Sequence, residues 1–150
     1  MNDGGVDSQS LAERSVAALY TADRMSQTLG MRIVAIAAHE CVLAMTVKAD
    51  MVNGLGTCHG GSIFSLADSA FAFACNSGGA PTVAAGASIE FLAAARVGDE
   101  LTATARAVWQ GRRAGLYDVT IVNQQGVRIA LFRGRSYRLS GADPRVRESK

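Results

Sequence analysis

Several things are missing from this 150-residue chain. It has no excess of charge: 15 lysines and arginines stand against 13 acids, a balance too even to argue for nucleic acid or a membrane surface as partner. No metal-ligand spacing and no glycine-rich nucleotide loop is present, so no metal and no cofactor are expected. The three cysteines, Cys41, Cys58 and Cys75, are an odd number without paired spacing, and no signal peptide is read. Reduced thiols in a cytoplasmic protein are the expectation. Cys58 adjoins His59, but neighbours in sequence usually point apart, so no thiol nucleophile is read there. There is no repeat and no low-complexity segment. The longest small-and-apolar run is too short and too interrupted to cross a bilayer. What remains is a single domain with one core, 49% hydrophobic and 19% charged.

The informative stretch runs from Cys58 to Gly79. His59-Gly60-Gly61-Ser62 gives a helix start, and Asn76-Ser77-Gly78-Gly79 gives a stop. Between them nearly every residue is small or apolar, which predicts a buried helix. Asp68 is its only charge. A carboxylate buried without a partner is expensive, so one kept there marks a candidate site. Phe64 and Phe71 lie about one turn to either side and predict an apolar setting that raises its pKa. Ser62, Ser65, Ser69, Ala72 and Asn76 form a stripe of small side chains open to close approach by another backbone. At the helix start, unpaired N–H groups meet the positive end of the macrodipole, and glycines let a substrate oxygen come close. Such a turn can polarise a carbonyl and hold an oxyanion.

Gly60 and Asp68 are eight residues apart, about 12 Å along a helix at 1.5 Å per residue. No aspartate side chain spans that distance. If both act on one carbonyl, they belong to two copies of the chain, and a two-fold dimer carries two equivalent sites.

Around this helix the chain reads simply. Residues 1–10 are polar and expected to be disordered, 11–140 form the domain, and the charged tail 141–150 is expected to be flexible. Leu11 to Leu29 predicts a helix broken near Asp23. Strands are predicted over 31–36, 41–49, 82–93, 101–110, 116–123 and 127–139, with 50–57 a turn-rich loop. In 101–110, Leu101, Ala103, Ala105, Ala107 and Trp109 are predicted to share one face. The sum is an α+β fold: a curved antiparallel sheet of five to six strands wrapped around one long central helix and covering it.

The pattern Asn53…His59-Gly60-Gly61…Ile63-Phe64-Ser65-Leu66-Ala67-Asp68, continued by Ala70-Phe71-Ala72-Phe73-Ala74-Cys75-Asn76-Ser77, resembles the hotdog-fold acyl-CoA thioesterases, and most closely their phenylacetate-degradation subfamily. The likeness extends through Gly98-Asp99, Leu101 to Ala105 and Ile121 to Gln125 to Leu131 to Ser136, covering about residues 15–140. It implies the hotdog fold, with Asp68 as nucleophile or general base and the Gly60 N–H polarising the thioester carbonyl across a dimer interface. Asn53 and His59 would order the site and its water. Ring-hydroxylated phenylacetyl-CoA esters would be the substrates, and two dimers would form a homotetramer. Gly61, Phe64, Ser65, Phe71, Arg133 and Arg135 are expected to bind substrate. Two departures stand out. Ala84 and Ala85 occupy a strand position where some relatives place a hydroxyl, leaving Asn53, Ser88 or no residue at all to hold the water. The segment 91–96 lacks a proline that many relatives have.

Two other functions fit the same residues. One is a hydratase or dehydratase with His59 and Asp68 as an acid–base pair. The other is a non-catalytic acyl-CoA-binding protein. Arg112, Arg113, Arg133, Arg135 and Arg138 are candidates for the CoA phosphates.

Overall fold

The structure is a computed structural model and describes residues 4–140. Its elements in chain order are α1 (Gly4–Ala22), α2 (Arg24–Thr28), β1 (Arg32–Ala37), β2 (Glu40–Thr46), a 3₁₀ turn (Ala49–Met51), α3 (Gly60–Asn76), β3 (Thr82–Phe91), β4 (Glu100–Gln110), β5 (Ala114–Val122) and β6 (Arg128–Arg138). The six strands form one sheet in the order β1-β2-β4-β5-β6-β3, and every neighbouring pair is antiparallel. After β2 the chain leaves the sheet for α3 and returns at the opposite edge as β3. The central helix is therefore strapped across the sheet from one edge to the other.

Alternation along the strands sets the core. Leu43 and Met45 of β2, Leu101, Ala103 and Ala105 of β4, Tyr117, Val119 and Ile121 of β5, and Phe132 of β6 point inward and are buried. They meet Ile63, Leu66, Ala67, Ala70, Phe71, Phe73 and Ala74 of α3. Burying side chains of this size contributes about 1.5–3 kcal/mol each. Gly134 is what lets Phe71 lie flat on β6: a Cβ there would sit 2.8 Å from the Phe71 ring.

Three expectations need correction, and a fourth falls outside what the structure describes. Residues 4–10, expected to be disordered, belong to α1, which begins at Gly4. The expected flexible tail, 141–150, lies outside the described residues. Trp109 does not share the inner face of β4. The register slips between Ala107 and Trp109, a bulge that reverses the alternation and leaves Trp109 55% exposed. Nor is α3 covered all round. Gly61 is exposed, and Ser65, Asp68, Ala72 and Asn76, spaced three and four apart on one side, are only half-buried.

Candidate active site

The start of α3 sorts its own hydrogen-bond donors. His59 is the N-cap, with extended backbone (φ −60°, ψ 135°), and its Nδ1 accepts the Gly61 N–H at 2.9 Å. The Ser62 and Ile63 N–H groups both turn back to the His59 carbonyl, at 2.9 and 3.2 Å. Among the described residues the Gly60 N–H donates to nothing. It opens on a cavity of about 420 Å³ lined by Asn53, Thr57, Cys58, Ile63 and Phe91. The Phe91 ring lies over the glycine, so close that a Cβ at position 60 would stand 3.0 Å from its Cζ. The loop before the helix is fixed by backbone bonds: His59 N–H to Met51 O at 2.7 Å and Cys58 N–H to Ala95 O at 2.8 Å.

Asp68 lies further along the same helix, on the uncovered stripe. Burial pushes its carboxyl above the usual range, and the nearby charge of Asp23 adds to the rise. Among the described residues its carboxylate accepts no hydrogen bond. A half-buried carboxylate with a raised pKa and free lone pairs suits proton abstraction or attack on a carbonyl.

The other expected site residues divide. Asn53 reaches the cavity with Gly60, but its amide serves its own loop: Oδ1 accepts from the Leu55 and Thr57 N–H groups (2.9 and 3.2 Å), and Nδ2 donates to Thr57 Oγ1 at 3.1 Å. Ser65 lies on the open stripe and donates to Gly61 O at 2.8 Å. Phe64 is half-buried and meets the Phe132 ring with centroids 5.4 Å apart. Phe71 is fully buried against Tyr117 and Phe132 and packs the helix onto the sheet. Arg133 and Arg135 lie on the exposed positions of β6, alternating with the buried Phe132, Gly134 and Ser136 that face the helix. Arg133 is held by a two-pronged pair with Asp118 (2.7 and 2.8 Å), and Arg135 donates to Ala85 O at 3.2 Å. Neither is brought to the helix start. Ser88, offered as a water holder, lines a cavity with Asp118 and Arg133 and not the cavity at Gly60.

His59 and Asp68 are not brought together within one chain, since nine residues of helix separate them by about 13 Å. All three cysteines are free and buried, and burial pushes the Cys58 thiol up, with Asp99 adding to the rise. Phe91 carried no sequence signal of a role, because only the fold brings the end of β3 over Gly60. No helix among the described residues is long and apolar enough to cross a membrane.

Comparison with known proteins follows the same lines. The family model described as "Thioesterase superfamily" matches residues 55–130. The acyl-coenzyme A thioesterase PaaI of Escherichia coli (strain K12) is 49% identical over 124 residues, which is 83% of this chain and 89% of that protein. The solved structure of the E. coli PaaI protein from the phenylacetic acid degradation operon superposes with a TM-score of 0.87 at 47% identity, covering 89% of this chain and 96% of that one. A hypothetical thioesterase protein from Streptococcus pneumoniae TIGR4, solved with coenzyme A, superposes with a TM-score of 0.77 at 27% identity, covering 82% of this chain and 96% of that one. The chain belongs to the thioesterase superfamily, among the PaaI-like acyl-CoA thioesterases of hotdog fold, and is a hydrolase of thioester bonds.

Proposed function

We propose that the chain hydrolyses the thioester of an aryl-acetyl-CoA, hydroxyphenylacetyl-CoA first among them, to the free acid and CoA. The observation that carries this reading is the pairing, on one helix, of an unpaired N–H at Gly60 with the unpartnered carboxylate of Asp68. The substrate carbonyl oxygen accepts from the Gly60 N–H, which strengthens its grip as the carbonyl becomes an oxyanion. Asp68 takes a proton from water as the water oxygen bonds to the carbonyl carbon, or attacks that carbon itself to form an acyl anhydride that water then hydrolyses to the free acid. Collapse of the tetrahedral intermediate breaks the C–S bond and expels the CoA thiolate, which takes up a proton. The PaaI relative comes from a phenylacetic acid degradation operon, which supports an aryl-acetyl group. So does an apolar cavity of about 470 Å³ beside Asn76 on the open stripe, walled by Leu19, Ala22, Pro81 and Val83.

The two groups come from different subunits in this reading. Gly60 and Asp68 lie in one unbroken helix, about 12 Å apart by helical rise. The sheet supplies a way to pair. β3 is a ten-residue edge strand whose residues Ala84, Ala85, Gly86, Ala87 and Ser88 are all exposed. It has none of the charges or prolines over that run that usually keep edges apart. Antiparallel pairing of two such edges about a two-fold axis continues the sheet and sets the two α3 helices side by side, running in opposite directions. The start of one helix then faces the middle of the other. A homodimer, or a homotetramer of two dimers, follows, and the three free buried thiols suit a cytoplasmic setting.

The test is release of free CoA, followed with a thiol reagent, across a panel of acyl-CoA esters. Hydroxyphenylacetyl-CoA is expected to exceed acetyl-CoA clearly in kcat/KM. Equal values would reject the aryl-acetyl assignment. Absence of CoA release from every ester would reject the function.

A further inference from the structure

We propose that Asp23 is a positioning residue for the site: the break between α1 and α2 sets a second carboxylate beside the central helix, where it makes Asp68 a stronger base. This rests on the reading of Asp68 as base or nucleophile.

The geometry begins with the break. Asp23 is the N-cap of α2, and its Oδ1 accepts the Ser26 N–H at 2.9 Å. Its Oδ2 accepts the Ser26 hydroxyl at 2.7 Å. Ser26 is the buried residue of this five-residue helix, with no exposed surface, and its Oγ lies 2.8 Å from Ser69 Oγ on α3. A hydroxyl has one proton. Ser26 spends its proton on Asp23, so Ser69 is the donor in the serine pair. The chain Ser69 to Ser26 to Asp23 thus runs in one direction and ends on a carboxylate. It starts from the residue next to Asp68 on α3. An ordinary N-cap on a five-residue surface helix needs only the backbone bond at Oδ1. The buried serine pair adds a tie that fixes the distance between Asp23 and α3.

The charges around Asp68 are few. Packed against α3 are α1, α2 and strands β2 to β6. Among the described residues, the charge that acts on Asp68 is Asp23. On α3 itself, Cys75 lies two turns on, and burial pushes its thiol up to about 12, so it is neutral where the enzyme works. Arg24, beside Asp23 in sequence, is exposed and makes no ion pair with it among the described residues. A like charge opposes loss of the Asp68 proton and so adds to the effect of burial. A carboxylate with a higher pKa removes a proton from water more readily. Ser26 and Ser69 hold that charge in place without supplying one.

The test separates charge from capping. Asn caps a helix as well as Asp does, so Asp23→Asn keeps the acceptor and removes the charge, whereas Asp23→Glu keeps the charge. Two readouts are taken: the pH profile of kcat/KM on an acyl-CoA, and the carboxyl titration of Asp68 by NMR in ¹³C-aspartate-labelled protein. With Asp23→Asn, both the acid limb and the Asp68 titration are expected to move to lower pH. With Asp23→Glu both should stay closer to the wild type. If Asp23→Asn folds poorly, Asp23→Ser, another good cap without charge, takes its place. An Asp68 titration that does not move in a folded, uncharged variant overturns the proposal. So does a rate that falls by the same factor at every pH, since that marks a cap and nothing more. The NMR readout stands even where no acyl-CoA is turned over, so failure of the function and failure of this proposal are told apart.

Discussion

The two ends of α3 treat their hydrogen bonds in opposite ways. At the start, one N–H is left without a partner, and a glycine sits where a Cβ would press on Phe91. At the far end the side chains of Asn76 and Ser77 are both tied. Asn76 Nδ2 donates to Ala72 O and Thr82 O, both at 2.8 Å, and its Oδ1 accepts the Thr82 N–H at 2.9 Å. Ser77 Oγ donates to Ala74 O and accepts the His39 N–H, each at 2.8 Å. His39 has a positive φ of 60°, which a residue other than glycine adopts only under constraint. The Ser77 hydroxyl and the contact from His39 Nδ1 to Tyr117 Oη supply that constraint. One end is closed to hold the helix on the sheet, so the other can leave a donor unsatisfied. Asp68 lies between them and shares the character of the open end.

Changes at the open end should therefore show first in the rate. The largest effect is expected for Asp68→Asn. Turnover should fall on the order of 10²-fold or more with KM little changed, the usual worth of a general base. Stability should move the other way. Asp68 has its folded-state pKa raised, first by burial and then by Asp23. Its favourable contribution is therefore complete below the ordinary carboxyl value and is lost as pH rises through the raised value. At neutral pH the charged form is a cost, and asparagine removes it. Melts should show Asp68→Asn more stable than the wild type at neutral pH, with the gap closing as pH falls below the ordinary carboxyl range. A mutant that is less stable at neutral pH and fully active would undo both the site and the comparison.

Next in size is the donor. Gly60→Pro removes the one free N–H, and loss of such a donor costs about 10²–10³-fold in kcat. Proline is tolerated in the first turn of a helix, and the extended backbone of His59 suits a residue before proline. The ring of Phe91 must shift, and it is half exposed and free to do so. Refolding Gly60→Pro together with Asp68→Asn sharpens the result. Heterodimers would hold one intact site of two, and a random mixture is about half heterodimer. Roughly a quarter of wild-type activity should return by symmetry. Folded mutants that exchange subunits without regaining activity would exclude a site shared between chains.

At the closed end the order reverses. Ser77→Ala leaves the half-buried His39 N–H unpaired and should cost about 1 kcal/mol. Turnover per folded molecule should be unchanged. Urea melts and active-site-normalised rates check the pair of claims, and a selective loss of rate would contradict the division between the ends.

How far the sequence carried these features depends on what kind of signal each one has. The ends of α3 were legible because caps are local: Gly60-Gly61-Ser62 and the run from Asn76 to Gly79 bracket the helix observed over Gly60–Asn76. The break at Asp23 was legible for the same reason. The sheet strands were legible from alternation, which holds wherever the ladder is regular. It failed at Trp109, because a bulge is decided by the partner strand β5 and not by the residues that carry it. The burial of Phe71 was not legible, because proximity to Asp68 along a helix does not say which side the sheet covers. The alternation of Phe132, Gly134 and Ser136 already placed Arg133 and Arg135 on the other face, a signal that was present and outweighed by their charge. The helical start of α1 went unread because its polar residues lack a strong apolar period. Phe91 over Gly60 and Ser26 against Ser69 are long-range contacts, with no local trace.

The smallest effect is expected at His59, and it decides between two chemistries. As N-cap, His59 uses Nδ1 to accept the Gly61 N–H, leaving Gly60 as the unsatisfied donor of the first turn. Asparagine also caps helices well, so His59→Asn should keep the helix start and much of the activity. His59→Ala should cost about 1 kcal/mol of stability, as a lost cap does. It also releases the Gly61 N–H next to the proposed oxyanion donor. Both variants should then reduce kcat only modestly, with alanine the worse of the two. An acid–base role paired with Asp68 makes a different forecast. Neither asparagine nor alanine can exchange a proton, so both would lose about 10²–10⁴-fold, to the same degree. Steady-state kinetics on one acyl-CoA, beside thermal melts of the same proteins, separates the cases. A graded loss that follows capping strength supports the cap, and an equal and deep loss in both variants would move His59 into the chemistry.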